Sequence, residues 1–229
     1  GLKREFTQRT AQLREELDLL YSPHERPGPT FEAWRESHRP FHWFVEFPEV
    51  MLNGGFDCVI GNPPYVAKSK VTTYSYSGFA TDAAPDIFAP CMERAAGLVA
   101  PGGSFSMIVP ISFQFSDRYA IARRVVASQL PRRWVSTYSR NPAALFDAGL
   151  GVRSTIVIGA RHPSPMLATT ELRRWREDAR PYLFDLNRYE AIELADQGAP
   201  WPRLGHPEIG ELYRALTSEG ASVGQAATR

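Results

Sequence analysis

From Phe56 onward, short apolar runs alternate with segments of helical periodicity, and this alternation is the feature that most constrains the fold. The predicted strands are residues 56–61, 104–109, 134–138 and 153–160, and the helices predicted between them are residues 85–99 and 117–130. Alternation of this kind is typical of parallel sheets, because each helix returns the chain to the same end of the sheet. The last two strands lack a helix between them, so they are predicted to form an antiparallel hairpin at the sheet edge. The sequence therefore predicts an α/β fold with a mostly parallel sheet and helices on both faces.

The segments on either side of this region are predicted to be largely helical. Residues 2–20 have the apolar spacing of an amphipathic helix, and Thr30 is placed to cap a short helix over 31–36. An aromatic-rich stretch at 41–47 is expected to pack against the sheet. Beyond Pro163 the chain is rich in arginine, and helices are predicted at 172–180 and 206–216. The predicted domains are a helical N-terminal segment, a sheet-forming region and a helical extension, over residues 1–50, 51–162 and 163–229.

The composition excludes several classes of protein. No apolar stretch has the length of a membrane span, and the first residues lack the pattern of a signal peptide. Cys58 and Cys91 lie in apolar contexts and are predicted to be reduced core thiols of a cytoplasmic protein. The five histidines are too scattered to form a metal site, so no metal is expected.

The formal net charge is only +1, but it is unevenly distributed. Residues 61–180 contain 15 Lys and Arg against 8 Asp and Glu, whereas both flanking regions are acidic. A basic centre is compatible with a polyanion bound in a cleft, but the charge alone favours the solvated faces of ordinary helices. The same two interpretations apply to five arginines that follow the second predicted strand, Arg118, Arg123, Arg124, Arg132 and Arg133.

The tetrapeptide Asn62-Pro63-Pro64-Tyr65 directly follows the first predicted strand. Ligands of open α/β sheets bind beyond the carboxyl ends of the strands, which is where these residues are expected. The prolines have fixed φ angles and no N–H group, so the neighbouring carbonyls are held in place and remain free to accept. An asparagine Oδ1 and a fixed carbonyl can together accept both hydrogens of an NH2 group, and a tyrosine ring can stack on the base that carries it. The alternative is a simple turn.

This region resembles the S-adenosylmethionine-dependent DNA adenine-N6 methyltransferases, in particular the group in type IIG restriction-modification and phage-defence enzymes. The resemblance covers roughly residues 41–160. It rests on the tetrapeptide and on three further segments, which are Asp86-Ile87-Phe88, the Pro101-Gly102-Gly103 turn before a strand that ends in Val109-Pro110, and Leu145-Phe146-Asp147 before the last strand. It implies a partial Rossmann-like class I methyltransferase sheet.

The resemblance also implies roles for individual residues. The target adenine is turned out of the duplex, Asn62 and Pro63 accept from its N6 amine, and Tyr65 and Phe146 lie on either side of the purine. No strong general base is needed, because positioning and charge placement supply the rate. Phe146 is otherwise a core residue before a turn.

The predicted cofactor contacts are Asn62 and Asp86. Asp86 contacts the methionine part of the cofactor or the substrate loop, or it caps the helix that begins near Pro85. Three aromatic residues of the loop over residues 66–82 either close over the flipped base or pack within the loop, namely Tyr74, Tyr76 and Phe79.

The glycine-rich strand-to-helix turn that binds the cofactor in this family is not found before Asn62, since Gly54 and Gly55 precede a strand. The chain is therefore expected to lack the cofactor-binding half and the target-recognition domain, and to be inactive by itself. The expected partner is double-stranded DNA. Glutamine-N5 or RNA-base methyltransferases, which use the same tetrapeptide, are one alternative, and a non-catalytic DNA-binding module is another.

Overall fold

The computed structural model describes residues 1–22, 30–72, 76–146 and 151–218, and the chain divides into two compact units at Gly55. Tyr74 and Asp147, which the sequence analysis singled out, lie outside the described residues. Among the helices that are described, none has the length and apolar character needed to cross a membrane.

The first unit is helical, as predicted. Its helices are α1 (Leu2–Tyr21), α2 (Phe31–His38), α3 (Trp43–Glu46) and α4 (Pro48–Leu52). The Thr30 hydroxyl accepts a hydrogen bond from the Ala33 N–H at 3.3 Å, which confirms the predicted cap of α2. The buried Asp18 carboxylate lies 2.7 Å from His42 Nε2 and 2.9 Å from Arg35 Nε, so one carboxylate ties three segments of this unit together.

The second unit is built on a six-stranded mixed sheet. Its strands are β1 (Phe56–Gly61), β2 (Val99–Pro110), β3 (Arg132–Tyr138), β4 (Ser154–Ala160), β5 (Met166–Arg173) and β6 (Glu190–Ile192). The spatial order is β1-β2-β4-β3-β5-β6. Strands β1, β2, β3 and β5 run in one direction, and β4 and β6 run against them. The carboxyl ends of four strands therefore lie along one end of the sheet.

All four predicted strands are present, and the mostly parallel α/β class is confirmed. Strands β3 and β4 form the predicted antiparallel hairpin, but its predicted place at the sheet edge is wrong, because β5 pairs with the outer side of β3. The helix predicted over 172–180 is also wrong. That segment ends β5 and continues into a 3-10 helix, Glu177–Tyr182, whereas the last predicted helix is confirmed as α8 (Pro207–Ser218). The apolar residues of β5 are consecutive rather than alternating, and the arginines that follow them led to the prediction of a helix.

Two helices cover one face of the sheet. Helices α5 (Phe88–Gly97) and α7 (Ala120–Gln129) join the short helix α6 (Ser112–Phe115) in a core that includes Phe88, Phe105, Phe113, Val126 and Trp201. Because side chains alternate along a strand, Val157 points into this core and Ile156 points to the other face, where a smaller cluster contains Tyr138, Trp175 and Leu183. Both faces of the sheet thus carry apolar packing.

The predicted Pro101-Gly102-Gly103 turn lies within β2. The pairing of β1 with β2 shifts between Phe56–Val99 and Cys58–Ser104, so β2 carries three extra residues at this point. Gly102 has a φ of 79°, in the left-handed region that favours glycine. The turn is therefore an irregularity that lets β2 begin at Val99 and still align with β1 from Ser104 onward.

Two of the five central arginines are neither solvated nor free for phosphate. Arg123 is fully buried, and its guanidinium donates to the carbonyls of Gly198, Phe113 and Ser116 at 2.7–3.0 Å. Arg133 is 2% exposed. Both expectations from the charge pattern are wrong for these residues, because each guanidinium is used to satisfy buried carbonyl groups.

The two cysteines are free thiols, as predicted, but only one has a partly buried environment. Cys91 on α5 is half-buried, and burial raises the pKa of its thiol. Cys58 is exposed, so its assignment to the core is wrong. The reason is that β1 is an edge strand of the described sheet, and its outward-facing side chains are not covered in the way that those of a central strand are.

Replacing Arg123 tests the structural role of this buried cation. The Arg123→Met variant keeps the apolar stem but removes the guanidinium that donates to the carbonyls of Phe113, Ser116 and Gly198, so the free energy of unfolding is expected to fall by about 3 kcal/mol or more. The measurement is the urea midpoint. Arg124→Met is the matched control, because its ion pair with Asp196 is about half exposed on both sides and its loss is screened by water. Equal shifts in the two variants would contradict the assignment.

Candidate active site

The Asn62-Pro63-Pro64-Tyr65 tetrapeptide lies beyond the carboxyl end of β1, as predicted. Gly61, the last residue of β1, pairs with Met107 of β2, so the tetrapeptide starts beside the carboxyl end of a parallel neighbour. Asn62 and Pro64 are exposed, whereas Pro63 is buried and Tyr65 is half-buried. Alternate burial of this kind anchors the backbone while it leaves the asparagine side chain at the surface.

The Asn62 carboxamide makes no hydrogen bond within the part of the chain that the structure describes. It is therefore available to a ligand, both as an acceptor through Oδ1 and as a donor through its NH2 group. A proline directly follows it, which restricts the backbone of Asn62 to extended conformations. The sheet thus presents a single free amide from a stiff backbone.

Tyr65 fixes the other end of the tetrapeptide. Its hydroxyl donates to the carbonyl of Ile108 in β2 at 2.9 Å, and its ring packs edge-to-face on Phe88 with the centroids 6.4 Å apart. Burial raises the pKa of Tyr65 to about 12, so the hydroxyl remains a donor at any physiological pH. This anchoring bond was missed by sequence reasoning, which considered only the stacking surface of the ring.

Asp86 lies close to the tetrapeptide through a short backbone pairing. Ala67 and Asp86 form an isolated antiparallel bridge, flanked by hydrogen bonds from Lys68 N–H to the Pro85 carbonyl at 2.7 Å and from Ile87 N–H to the Val66 carbonyl at 3.0 Å. The Asp86 carboxylate accepts a short hydrogen bond from the Tyr119 hydroxyl. It makes no capping bond to α5, whose N-cap is Ile87, so the capping interpretation is wrong. Burial and this bond both raise the pKa of Tyr119.

The described part of the loop after the tetrapeptide is held by contacts among its own side chains and by contacts with α5. The Lys68 ammonium lies 4.8 Å from the centre of the Tyr76 ring, and the Arg94 guanidinium lies 5.3 Å from that of Phe79. Glu93 of α5 accepts from the Thr81 N–H at 3.0 Å and from the Thr81 hydroxyl at 2.7 Å. In this structure Tyr76 and Phe79 therefore follow the packed-loop interpretation. The Glu93 anchor has no sequence signal of its own.

Phe146 lies in a separate cavity after β3. The cavity has a volume of about 620 Å³, and its lining includes Phe146, Arg140, Asn141, Arg176 and Glu177. Phe146 is 37% exposed. None of the four tetrapeptide residues is among the described residues that line this cavity. The structure thus pairs Asp86 with the segment that directly follows the tetrapeptide, and Phe146 lines a cavity to which the described tetrapeptide residues do not contribute.

The described residues contain no group of His, Cys, Asp and Glu that could hold a metal ion. The chemistry available at this end of the sheet is therefore that of a free amide, fixed carbonyls, an aromatic ring and one half-buried carboxylate. These groups are suited to holding an NH2 group rather than to activating a nucleophile through a strong base.

Comparisons with known proteins agree with this geometry. The family model described as Eco57I restriction-modification methylase matches residues 4–138. A putative type II restriction enzyme and methyltransferase of Methanocaldococcus jannaschii is 30% identical over 95 residues, which cover 42% of this chain and 8% of that protein.

Solved structures show the same fold at low identity. A cryo-EM structure of a DrdV–DNA complex has a TM-score of 0.53 and 15% identity, and the match covers 66% of this chain and 18% of that one. A nuclease-deletion mutant of the type ISP restriction-modification enzyme LlaGI, solved with a DNA substrate mimic, has a TM-score of 0.53 and 12% identity, over 83% of this chain and 22% of that one.

The chain therefore spans less than a quarter of the length of each of these relatives. Because the family match covers more than half of this chain, including all of β1, the tetrapeptide and β2, it assigns the family. The chain belongs to the Eco57I restriction-modification methylase family.

Proposed function

We propose that this chain carries the target-base side of the active site of an S-adenosylmethionine-dependent DNA methyltransferase that acts on the N6 amine of adenine. The observation that carries the proposal is the exposed Asn62 carboxamide, which has no hydrogen bond within the described residues and is held by the prolines and Tyr65 at the carboxyl end of β1. Membership of a restriction-modification methylase family supports the same reaction class.

The proposed chemistry depends on positioning. Asn62 Oδ1 and the Pro63 carbonyl accept the two hydrogens of the adenine N6 amine, which favours a tetrahedral nitrogen and localises its lone pair. S-adenosylmethionine supplies the methyl group from its sulfonium. As the bond between N6 and the methyl carbon would form, the carbon–sulfur bond of the sulfonium would break and leave a neutral thioether. The positive charge would pass to the amine, beside the two acceptor oxygens, and the amine would then release one proton to water. The acceptors stabilise this charge without a general base.

Aromatic contacts are proposed to hold the base. Tyr65 stacks on one face of the purine, and Phe146 is proposed to contact the second face. Asn62 and Asp86 are proposed to contact the cofactor. Since Asp86 is already engaged by Tyr119, its contribution is expected to come through the remaining carboxylate oxygen.

Double-stranded DNA is the proposed partner. The DrdV and LlaGI structures were both solved with DNA or a DNA mimic, and the M. jannaschii relative is described as a restriction enzyme and methyltransferase.

Substitution of Asn62 tests the proposed reaction. In the full-length protein, Asn62→Ala is expected to reduce methyl transfer to plasmid DNA about 100-fold or more, because one of two acceptors for the N6 amine is lost. The measurement is incorporation of labelled methyl groups into adenine, with DNA affinity determined in parallel and expected to stay within about twofold.

Asn53→Ala, at an exposed asparagine of the first unit, is the control and is expected to retain activity. Methylation of release factor or RNA in place of DNA would show that the proposed substrate is wrong. DNA binding without methyl transfer to any substrate by the wild-type protein would favour a non-catalytic module.

Tyr65→Phe separates the anchoring bond from the stacking surface. The variant loses the hydrogen bond to Ile108 but keeps the ring, so the free energy of unfolding at pH 7 is expected to fall by about 1 kcal/mol. Methyl transfer is expected to be reduced less than in Tyr65→Ala, which also loses the ring. Equal activities of the two variants would show that the ring does not contact the base.

Wild-type protein and Tyr65→Phe are also expected to differ in how their stability changes at alkaline pH. The pKa of Tyr65 is raised from about 10 in the unfolded chain to about 12 in the fold, so its stabilising contribution is complete below pH 10 and is lost as the pH rises towards 12. Wild-type protein is therefore expected to lose about 1 kcal/mol more stability than Tyr65→Phe between pH 7 and pH 11. Urea midpoints at the two pH values measure the difference, and parallel losses would contradict it.

A further inference from the structure

A second cavity lies at the opposite end of the sheet from Asn62. Its volume is about 320 Å³, within the range of small-molecule sites. Arg133, Leu167 and Ile192 are side-by-side partners on β3, β5 and β6, so their side chains form one row across three strands. The rest of the lining comes from segments on either side of this row, Pro165, Met166, Glu193, Leu194 and Gln197. Most of these side chains are apolar.

The two halves of the Arg133 guanidinium have different environments. Nη1 donates to the carbonyls of Ala127 and Leu130 at 3.1 Å each, so this half stabilises the C-terminal end of α7. Nη2 donates only to Gln197 Oε1, at 2.7 Å. Nε is buried and has no acceptor within the described residues. The edge of the guanidinium formed by Nε and Nη2 therefore has one neutral acceptor where two are possible.

Within the described residues Arg133 has no carboxylate partner, and its charge is offset only by the Trp201 ring, whose centre lies 5.8 Å from the guanidinium carbon. Among the described residues that line the cavity, Glu193 is the only one with a carboxylate, and its side chain is exposed. Burial alone lowers the pKa of Arg133 to about 10, and no acidic neighbour opposes this effect. The side chain is still a cation at neutral pH. A buried cation of this kind is stabilised by an anion that hydrogen-bonds to it.

We propose that this cavity binds a small carboxylic acid with an apolar body. The carboxylate accepts hydrogen bonds from both Nε and Nη2 of Arg133, in the bidentate geometry for which a guanidinium is suited. The Gln197 side chain moves away from this edge of the guanidinium. The apolar body lies on Met166, Leu167 and Ile192. The cavity contains one cation, several apolar side chains and an acidic residue at its rim, and this favours a monoanion over phosphate, whose second charge would have no partner.

The direct test is a titration of the full chain with benzoate, benzamide and inorganic phosphate. Binding is measured by calorimetry and by changes in chemical shift. Benzoate is expected to bind saturably with a Kd of about 1 mM or below. Benzamide has the same shape without the charge and is expected not to saturate. The proposal is overturned if benzoate does not saturate, if benzamide binds equally well, or if phosphate binds as tightly as benzoate.

Variants at Gln197 locate the site without removing Arg133, whose loss would also weaken the end of α7. Gln197→Glu places a carboxylate of the chain on the same edge of the guanidinium, so it is expected to raise the thermal midpoint and to weaken benzoate binding about tenfold or more. Gln197→Ala frees that edge and is expected to bind benzoate at least as tightly as wild type.

Gln8→Glu, at an exposed position of α1, adds the same charge elsewhere and is expected to change neither property. The proposal would be overturned if the Gln197→Glu variant bound benzoate as tightly as the wild-type protein does. None of these measurements depends on methyl transfer. A negative result would therefore contradict this proposal without contradicting the proposed function.

Discussion

The parallel pairing of β1 with β2 is the interaction on which the candidate active site depends. It brings two carboxyl ends together, so that the chain leaving β1 can be tied at once to the neighbouring strand. Tyr65 makes this tie through the Ile108 carbonyl, and the two prolines leave the backbone between Asn62 and Tyr65 with little freedom. The Asn62 carboxamide is thereby held in a fixed position by its backbone, although the carboxamide itself makes no hydrogen bond to any described residue.

Long-range hydrogen bonds also hold the face of the sheet that α5 and α7 cover. There the donors are the guanidinium groups of buried arginines. Arg123 donates to three carbonyls, those of Phe113 in α6, Ser116 just after it and Gly198. Arg133 uses one half of its guanidinium in this way and leaves the other half with a single neutral acceptor. Two arginines that look alike in the sequence therefore have different chemical consequences. The positive charge of the central region is partly an internal feature of the fold, rather than a surface directed entirely at a polyanion.

Much of the fold could be predicted because its signals are local. The apolar run of β1, the β-branched run of β4 and the proline and glycine turns each specify structure within a few residues. The errors concern long-range pairing. Strand β5 was not predicted, because the arginines after it favoured a helix. The hairpin of β3 and β4 was placed at the sheet edge, because nothing in its own sequence indicates a further neighbouring strand. At the site, the position of Asn62 followed from its strand, whereas the Tyr65–Ile108 and Asp86–Tyr119 bonds join residues more than 30 positions apart and have no sequence pattern.

Strand β1 is both the support of Asn62 and an outer strand of the described sheet, with Ile60 78% exposed. Its free side has backbone N–H and C=O groups that can pair with another extended segment. Any segment that adds to this side would restrict the motion of β1 and, through Gly61, that of the amide beyond it. Strand addition and ordering of the Asn62 carboxamide are therefore mechanically coupled, so a polypeptide that pairs with β1 without contacting Asn62 can still affect how firmly this carboxamide is held.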